Sequence, residues 1–255
     1  MRNDPYDDEF YREQMQGSYK SAKHYVAFLS QTIRPRRVVD VGCGRGTWLA
    51  AFREDGAECT GVDGPWNSQS NMMDQAVTFI PADLNQPIAL PNGRFDLALS
   101  LEVAEHLQPA SAAGFVASLA DLADVVMFAA AFTGQGGVHH VNERPHTYWA
   151  ALFHQHGYAP YDIFRPAFWG HPEVQYWYQQ NTFLYVRGGA AAESALAAAG
   201  HRPLENLAFM DCIHPSLYEA HRQQVGWAPA LRRGVAGMLP RKFLPIIRRL
   251  SGRAR

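Results

Sequence analysis

The chain lacks an uninterrupted run of about 18 apolar residues, the length that crosses a bilayer as a helix, so no transmembrane span is expected. Cysteine is scarce. Cys43, Cys59 and Cys212 are odd in number and form no CxxC pair, which argues against a disulfide framework and against a cysteine-built zinc site. No secretory or transit leader is expected either, since the N-terminus reads MRNDPYDDEF, which is too acidic for one. Together these absences predict reduced thiols and a cytoplasmic protein. Internal repeats are also absent. With 255 residues, 47% of them hydrophobic and only 18% charged, the chain can bury a full core as one large domain or one domain with appendages.

Acidic residues disappear between Arg222 and Arg255, where there are nine Lys/Arg. The preceding part holds the other 14 basic and all 24 acidic groups, so an acidic body carries a basic tail. An acidic body disfavours a nucleic-acid partner, which needs a basic face near the site. In the tail, Trp227, Leu231, Val235 and Met238 recur at helical spacing, and Pro240 and Pro245 should break the segment into two short helices. Such a helix can pack on the body or a second subunit. It can equally lie on anionic lipid at the inner membrane face.

Hydrophobic patterning divides the rest. Residues 1–34 form an expected helical cover, with Tyr19, Tyr25, Val26 and Leu29 on one face. Residues 35–190 alternate short apolar runs with helical stretches. RVVDVG, ECTGVD, VTFI, FDLALSL, DVVMFAA, YAPYDIFR and NTFLYV give seven strands, and Pro145–Gly157 reads as a helix. The expectation is a Rossmann-like, doubly wound α/β fold with a mostly parallel sheet covered on both faces. The segment RPAFWGHPEVQYWYQQ is too rich in proline and aromatics for one long element. GGAAAESALAAAG marks the passage to a C-terminal extension, 191–255.

The most informative stretch is VVDVGCGRGTWLAAF. A strand delivers the chain to Gly42, Gly44 and Gly46, where the backbone can turn sharply and approach a ligand, and the next helix offers free amides. The spacing misses G-x-G-x-x-G, because the third glycine comes one residue early, and an acid, Asp40, stands beside the turn. An acid there would repel a pyrophosphate but suits an ammonium and a sulfonium, which favours S-adenosylmethionine over a dinucleotide. The pattern resembles the class I methyltransferases. That resemblance implies that Asp63, closing the second strand, accepts hydrogen bonds from ribose hydroxyls. It also implies that Asp83 in PADL contacts adenine, and that Leu101 and Glu102 flank the methionine end. Trp66 can shelve the adenine or pack in the core, and Cys43 reads as a small turn residue rather than a nucleophile.

Methyl transfer to a hydroxyl calls for positioning and a base near neutrality. His106, in AEHL at the mouth of the sheet, is one candidate. His139 and His140, in GQGGVHHVNERP after the fifth strand, are others, with Asn142, Glu143 and Arg144 adding polar groups. Glu102, Glu105, His106 and His140 also resemble the Mg²⁺ or Mn²⁺ set of small-RNA 2′-O-methyltransferases and of some quinone-ring O-methyltransferases. The same run occurs in relatives that use no metal, so a metal stays open. Trp169, Tyr176 and Tyr178 are the pocket candidates of the late aromatic segment. The expected reaction is O-methylation of a sugar, glycan or other small-molecule hydroxyl. The alternatives are a metal-assisted enzyme acting on an RNA end or a phenol, a nucleotide-dependent dehydrogenase, and a non-catalytic cofactor-binding scaffold.

Overall fold

The structure, a computed structural model, describes residues 8–91 and 93–225. The chain divides into two compact units, 1–212 and 213–255. The compositional boundary at 190 therefore falls inside the first unit. The physical reason is burial: Leu196 and Met210 are fully enclosed in the two core clusters of that unit. In the second unit the described helix spans Pro215–Val225. The basic segment beyond it, with Trp227 and its apolar repeat, lies outside the described residues.

The first unit is built on β1 (Arg37–Val41), β2 (Glu58–Asp63), β3 (Thr78–Pro81), β4 (Leu97–Leu101), β5 (Val125–Ala129), β6 (Tyr158–Tyr161) and β7 (Phe183–Arg187), in the order β3-β2-β1-β4-β5-β7-β6. The first five strands pair in parallel, and β7 runs antiparallel between β5 and β6. Alternate residues serve opposite faces, as a pleated strand requires. Val38, Leu97, Leu99 and Met127 enter one core cluster, while Val39, Ala98, Val126 and Phe128 enter the other. Each of these side chains other than Ala98 contributes roughly 1.5–3 kcal/mol on removal from water. Helices α1 (Asp8–Leu29) and α2 (Thr47–Glu54) cover the first face, whereas α3 (Ala112–Leu122) and α4 (His146–Gln155) cover the second.

Two local readings change. The late strand starts at Phe183, because Gln180 and Asn181 end helix α6 (Tyr176–Asn181), where their buried amides bond to Gln135 and Glu102. The preceding irregular stretch also holds a short helix, α5 (Phe164–Phe168). Tyr25 of α1 stacks on Phe164 and Phe168 at 4.8 and 4.5 Å and donates to the Tyr178 carbonyl at 2.9 Å. The N-terminal cover is thus locked onto the late helices. Strand order reverses between β1 and β4, and at such a switch point the C-terminal strand ends leave a crevice.

Candidate active site

The crevice opens where β1 runs into the glycine turn. Gly42 has φ +89°, and a Cβ there would collide with Val103, so the turn closes against the β4 exit only without a side chain. At Gly44, φ is +52° and a Cβ would meet nothing within 4 Å, so the backbone faces open space. Gly46 caps α2 with φ +70°. Asp63, at the end of β2, accepts hydrogen bonds from the amides of Gly44 at 2.7 Å and Gly64 at 2.6 Å. One carboxylate therefore holds two strand ends in register.

Two cavities flank this turn, of about 590 and 260 Å³. The smaller is walled by Asp63, Asp83, Trp66 and Asn85. Trp66 is 78% exposed, which removes it from the core and leaves its ring at the cavity edge. Asp83 is exposed and accepts from the Asn85 amide at 3.0 Å. Asp40, Leu101 and Glu102 line the larger cavity. Burial, and then the charge of Asp63, pushes the Asp40 carboxyl up to about 7. Cys43 is buried beside it, and burial raises its thiol pKa, which suits packing rather than nucleophilic attack.

Glu102 takes the unusual left-handed φ of +58° directly after β4. Its carboxylate accepts from Asn181 Nδ2 at 2.9 Å and from Gln135 Nε2 at 3.2 Å. Burial moves it up to about 7 against those two donors. Both Glu102 oxygens are thus engaged, and Glu102 is not part of the cluster formed by the remaining members of the expected metal set. Glu105, His106 and His140 come together instead, with one ligand atom of each within 4.8 Å of the others.

The backbone explains that meeting. A 3₁₀ turn at Ala104–His106 presents the Glu105 carbonyl, which accepts from the amides of Val141 and Asn142, both at 2.9 Å. Asn142 Nδ2 also donates to the Ala104 carbonyl at 3.3 Å. The loop after β5 is so tied down that the His106 and His140 rings meet edge to face, 4.8 Å between centroids. His106 is partly open to solvent, and burial of the rest of its ring, then His140, lowers its pKa. Glu105 is fully buried, and neither carboxylate oxygen has a hydrogen-bond partner of good geometry among the described residues. Burial and the neighbouring Glu102 charge raise its pKa, although the Glu105 and Ala131 amides oppose this. His139 is exposed at φ +60° and does not line either cavity.

Tyr176 and Tyr178 line the larger cavity, whereas Trp169, 42% exposed, does not. The sequence reading missed Ser18, Gln135 and Trp177, which also line it. Ser18 comes from the cover helix and lies 2.9 Å from Thr47 Oγ1, a contact between distant segments with no local signature. Gln135 had one available cue, a polar side chain between glycines.

A family model described as a methyltransferase domain matches residues 11–205. No curated protein matches the chain significantly. Among solved structures, the sugar N-methyltransferase KedS8 from Streptoalloteichus is 16% identical over 71% of this chain and 92% of its own, with a TM-score of 0.54. An O-methyltransferase family protein from Burkholderia thailandensis is 14% identical over 74% of this chain and 62% of its own, with a TM-score of 0.52. Magnesium protoporphyrin IX methyltransferase from Synechocystis, with bound SAH, is 18% identical over 70% and 88%, with a TM-score of 0.50. At these identities the likeness to solved structures is one of fold, while the family match spans the sheet unit. The chain belongs to the methyltransferase-domain family and shares the fold of these solved methyltransferases.

Proposed function

We propose that the chain methylates a hydroxyl of a neutral sugar, glycan or similar small molecule, with His140 as the base. The observation that carries this reading is the lining of the larger cavity. Behind the methionine-end candidates Leu101 and Glu102 it offers the His106–His140 pair and an aromatic wall, Tyr176 and Trp177, with Arg45 the only Lys or Arg among its described lining residues. Aromatic faces stack on sugar rings, and the surrounding carboxylates disfavour phosphates.

S-Adenosylmethionine, when bound, supplies a methyl group on a sulfonium. The residues fit it: Asp63 would accept from the ribose hydroxyls, Asp83 and Trp66 would flank the adenine, and Asp40 and Glu102 would face the cationic end. The open space over Gly44, beside Gly42 and Gly46, supports this placement. His140 would then take the hydroxyl proton while the oxygen is methylated, with His106 as the neighbouring imidazole. His139, on the outer side of the loop, is left out of this set. We place the protein in the cytoplasm, with its basic tail available for peripheral contact at the inner membrane face; no helix of the described residues is long and apolar enough to cross a membrane.

A second reading, a divalent cation such as Mg²⁺ or Mn²⁺ at Glu105, His106 and His140, is favoured by one observation, a buried Glu105 carboxylate that has no hydrogen-bond partner of good geometry among the described residues and lies beside two imidazoles. It would suit an RNA end or a phenol as acceptor. Incubation with trideuteromethyl-labelled cofactor and separated extracts, read by mass spectrometry, tests both. Label in neutral carbohydrate that survives excess chelator supports the hydroxyl reading with His140 as base. Label confined to RNA or phenols, and lost with chelator, replaces it.

A further inference from the structure

The loop after β5 contains a carboxylate that the catalytic reading above does not use. Glu143 is buried to 17% side-chain exposure and His140 to 12%. Glu143 Oε2 accepts from the Gly134 amide at 2.7 Å, and Oε1 accepts from the Gly136 amide at 2.7 Å. Oε1 also lies 2.8 Å from His140 Nδ1. Three contacts from three points of one loop converge on a single side chain.

An ionised carboxylate can only accept, so the nitrogen facing it must carry the proton. Free histidine side chains carry theirs mainly on Nε2, and a partner at Nδ1 reverses that preference. The His140 ring lies over Gly137, where a Cβ would collide with it, and its free edge borders the larger cavity with His106 and Glu105. The left-handed φ of His139 lets the chain turn just before the ring. Gly134 and Gly136, both at positive φ, let their amides point back at one acceptor.

We propose that Glu143 is a positioning residue: it fixes His140 as the Nδ1–H tautomer and closes the glycine loop around it, leaving Nε2 as the unprotonated nitrogen offered to the acceptor. This rests on the reading of His140 as the base. The loop and the imidazole are set by one group.

The test is a long-range ¹H–¹⁵N correlation spectrum of the full chain with labelled histidine, recorded on the wild type, Glu143→Ala and Glu143→Gln. The expected wild-type pattern for His140 is a protonated Nδ1 and an unprotonated Nε2. In E143A it should move to the Nε2–H form, and the Gly134 and Gly136 amides should exchange with solvent at least tenfold faster. In E143Q, which keeps an acceptor oxygen but loses the charge, a mixture of the two tautomers is expected. Thermal unfolding of both variants identifies any that fail to fold, and E143Q, the milder change, decides the matter if E143A does. An Nε2–H wild type, or a tautomer unmoved in the folded variants, overturns the proposal. His140→Ala with undiminished methyl transfer would remove the base reading while leaving the tautomer result standing, so the two failures are distinct.

Discussion

The two halves of the crevice are built by different means. On the β1–β2 side, backbone does the shaping: three glycines at positive φ and one acid, Asp63, whose partners are main-chain amides. On the β4–β5 side, side chains do it, through Glu102, Gln135, Asn181 and Glu143, which join residues up to 79 positions apart. A surface made of backbone tolerates little change in residue type but needs only local sequence. A surface made of side chains can be altered one contact at a time, which suits a site that must match a particular acceptor.

The largest effect should come from Gly44→Val. A branched side chain at φ +52° is strained, and it would fill the space over the turn. Affinity for S-adenosylmethionine should fall by about 100-fold or more, roughly 3 kcal/mol. Titration calorimetry reads the loss, and circular dichroism checks that the fold persists. Near-normal affinity would mean that the cofactor half is not where the backbone puts it.

That half was legible because its information is local. The strand, the GCGRG turn and the acid after the next strand occur in one short stretch, and β2 spans the predicted ECTGVD. The parallel sheet was legible too, since each strand is a short apolar run. The acceptor half was not. Nothing in the sequence says that Ser18 reaches Thr47 and Tyr178, or that Gln135 bonds to Glu102 and Asn181. Asn181 reads as the start of the strand NTFLYV because an apolar run follows it, whereas it ends helix α6. Glu102 and Glu105 belong together by the family resemblance, whereas only Glu102 is engaged by Asn181 and Gln135 and only Glu105 lies in the cluster with His106 and His140.

Asp63→Ala comes next. It removes the acceptor of two amides as well as the expected ribose contact, so cofactor affinity should drop by about 1–3 kcal/mol. Asp63→Asn separates charge from geometry, because it keeps one acceptor oxygen. Equal losses in both variants would assign the effect to charge, and a loss in neither would separate Asp63 from the cofactor.

A smaller, graded effect should appear with pH, and it links the two halves. Burial raises Asp40 from 3.8 and Glu102 from 4.5, each to about 7. In the ligand-free protein the neutral forms are therefore favoured. The stability they contribute is fully present below the ordinary carboxylate range and is lost as pH rises toward 7. A cationic ligand has the opposite preference, so binding should release protons. Affinity should reach its plateau above pH 7 and weaken below it by up to about tenfold per unit for each of the two carboxylates. Calorimetry in buffers of different ionisation enthalpy counts the protons. Asp40→Asn and Glu102→Gln should each flatten the profile by one proton's share. A profile untouched by either substitution would show that neither carboxylate faces the ligand's charge.

The smallest effect on the crevice should follow removal of Trp227–Arg255. Both halves lie in the unit that ends at Cys212, and every residue placed in them precedes Asn206. Cofactor affinity of the truncated chain should therefore stay within about twofold of the full-length value, a difference under 0.5 kcal/mol. A larger change would show that the comparison omits a third contributor to the site. The removed segment has its own expected property, since eight of the nine basic residues that begin at Arg222 go with it and no acid does. Each basic group near an anionic surface adds about 1 kcal/mol of attraction, screened by salt. Full-length protein should therefore sediment with anionic vesicles at low salt and be released at high salt, while the truncated chain stays in the supernatant throughout. Identical sedimentation of the two forms would end the membrane reading and leave the tail to packing or assembly, with the crevice unaffected in either case.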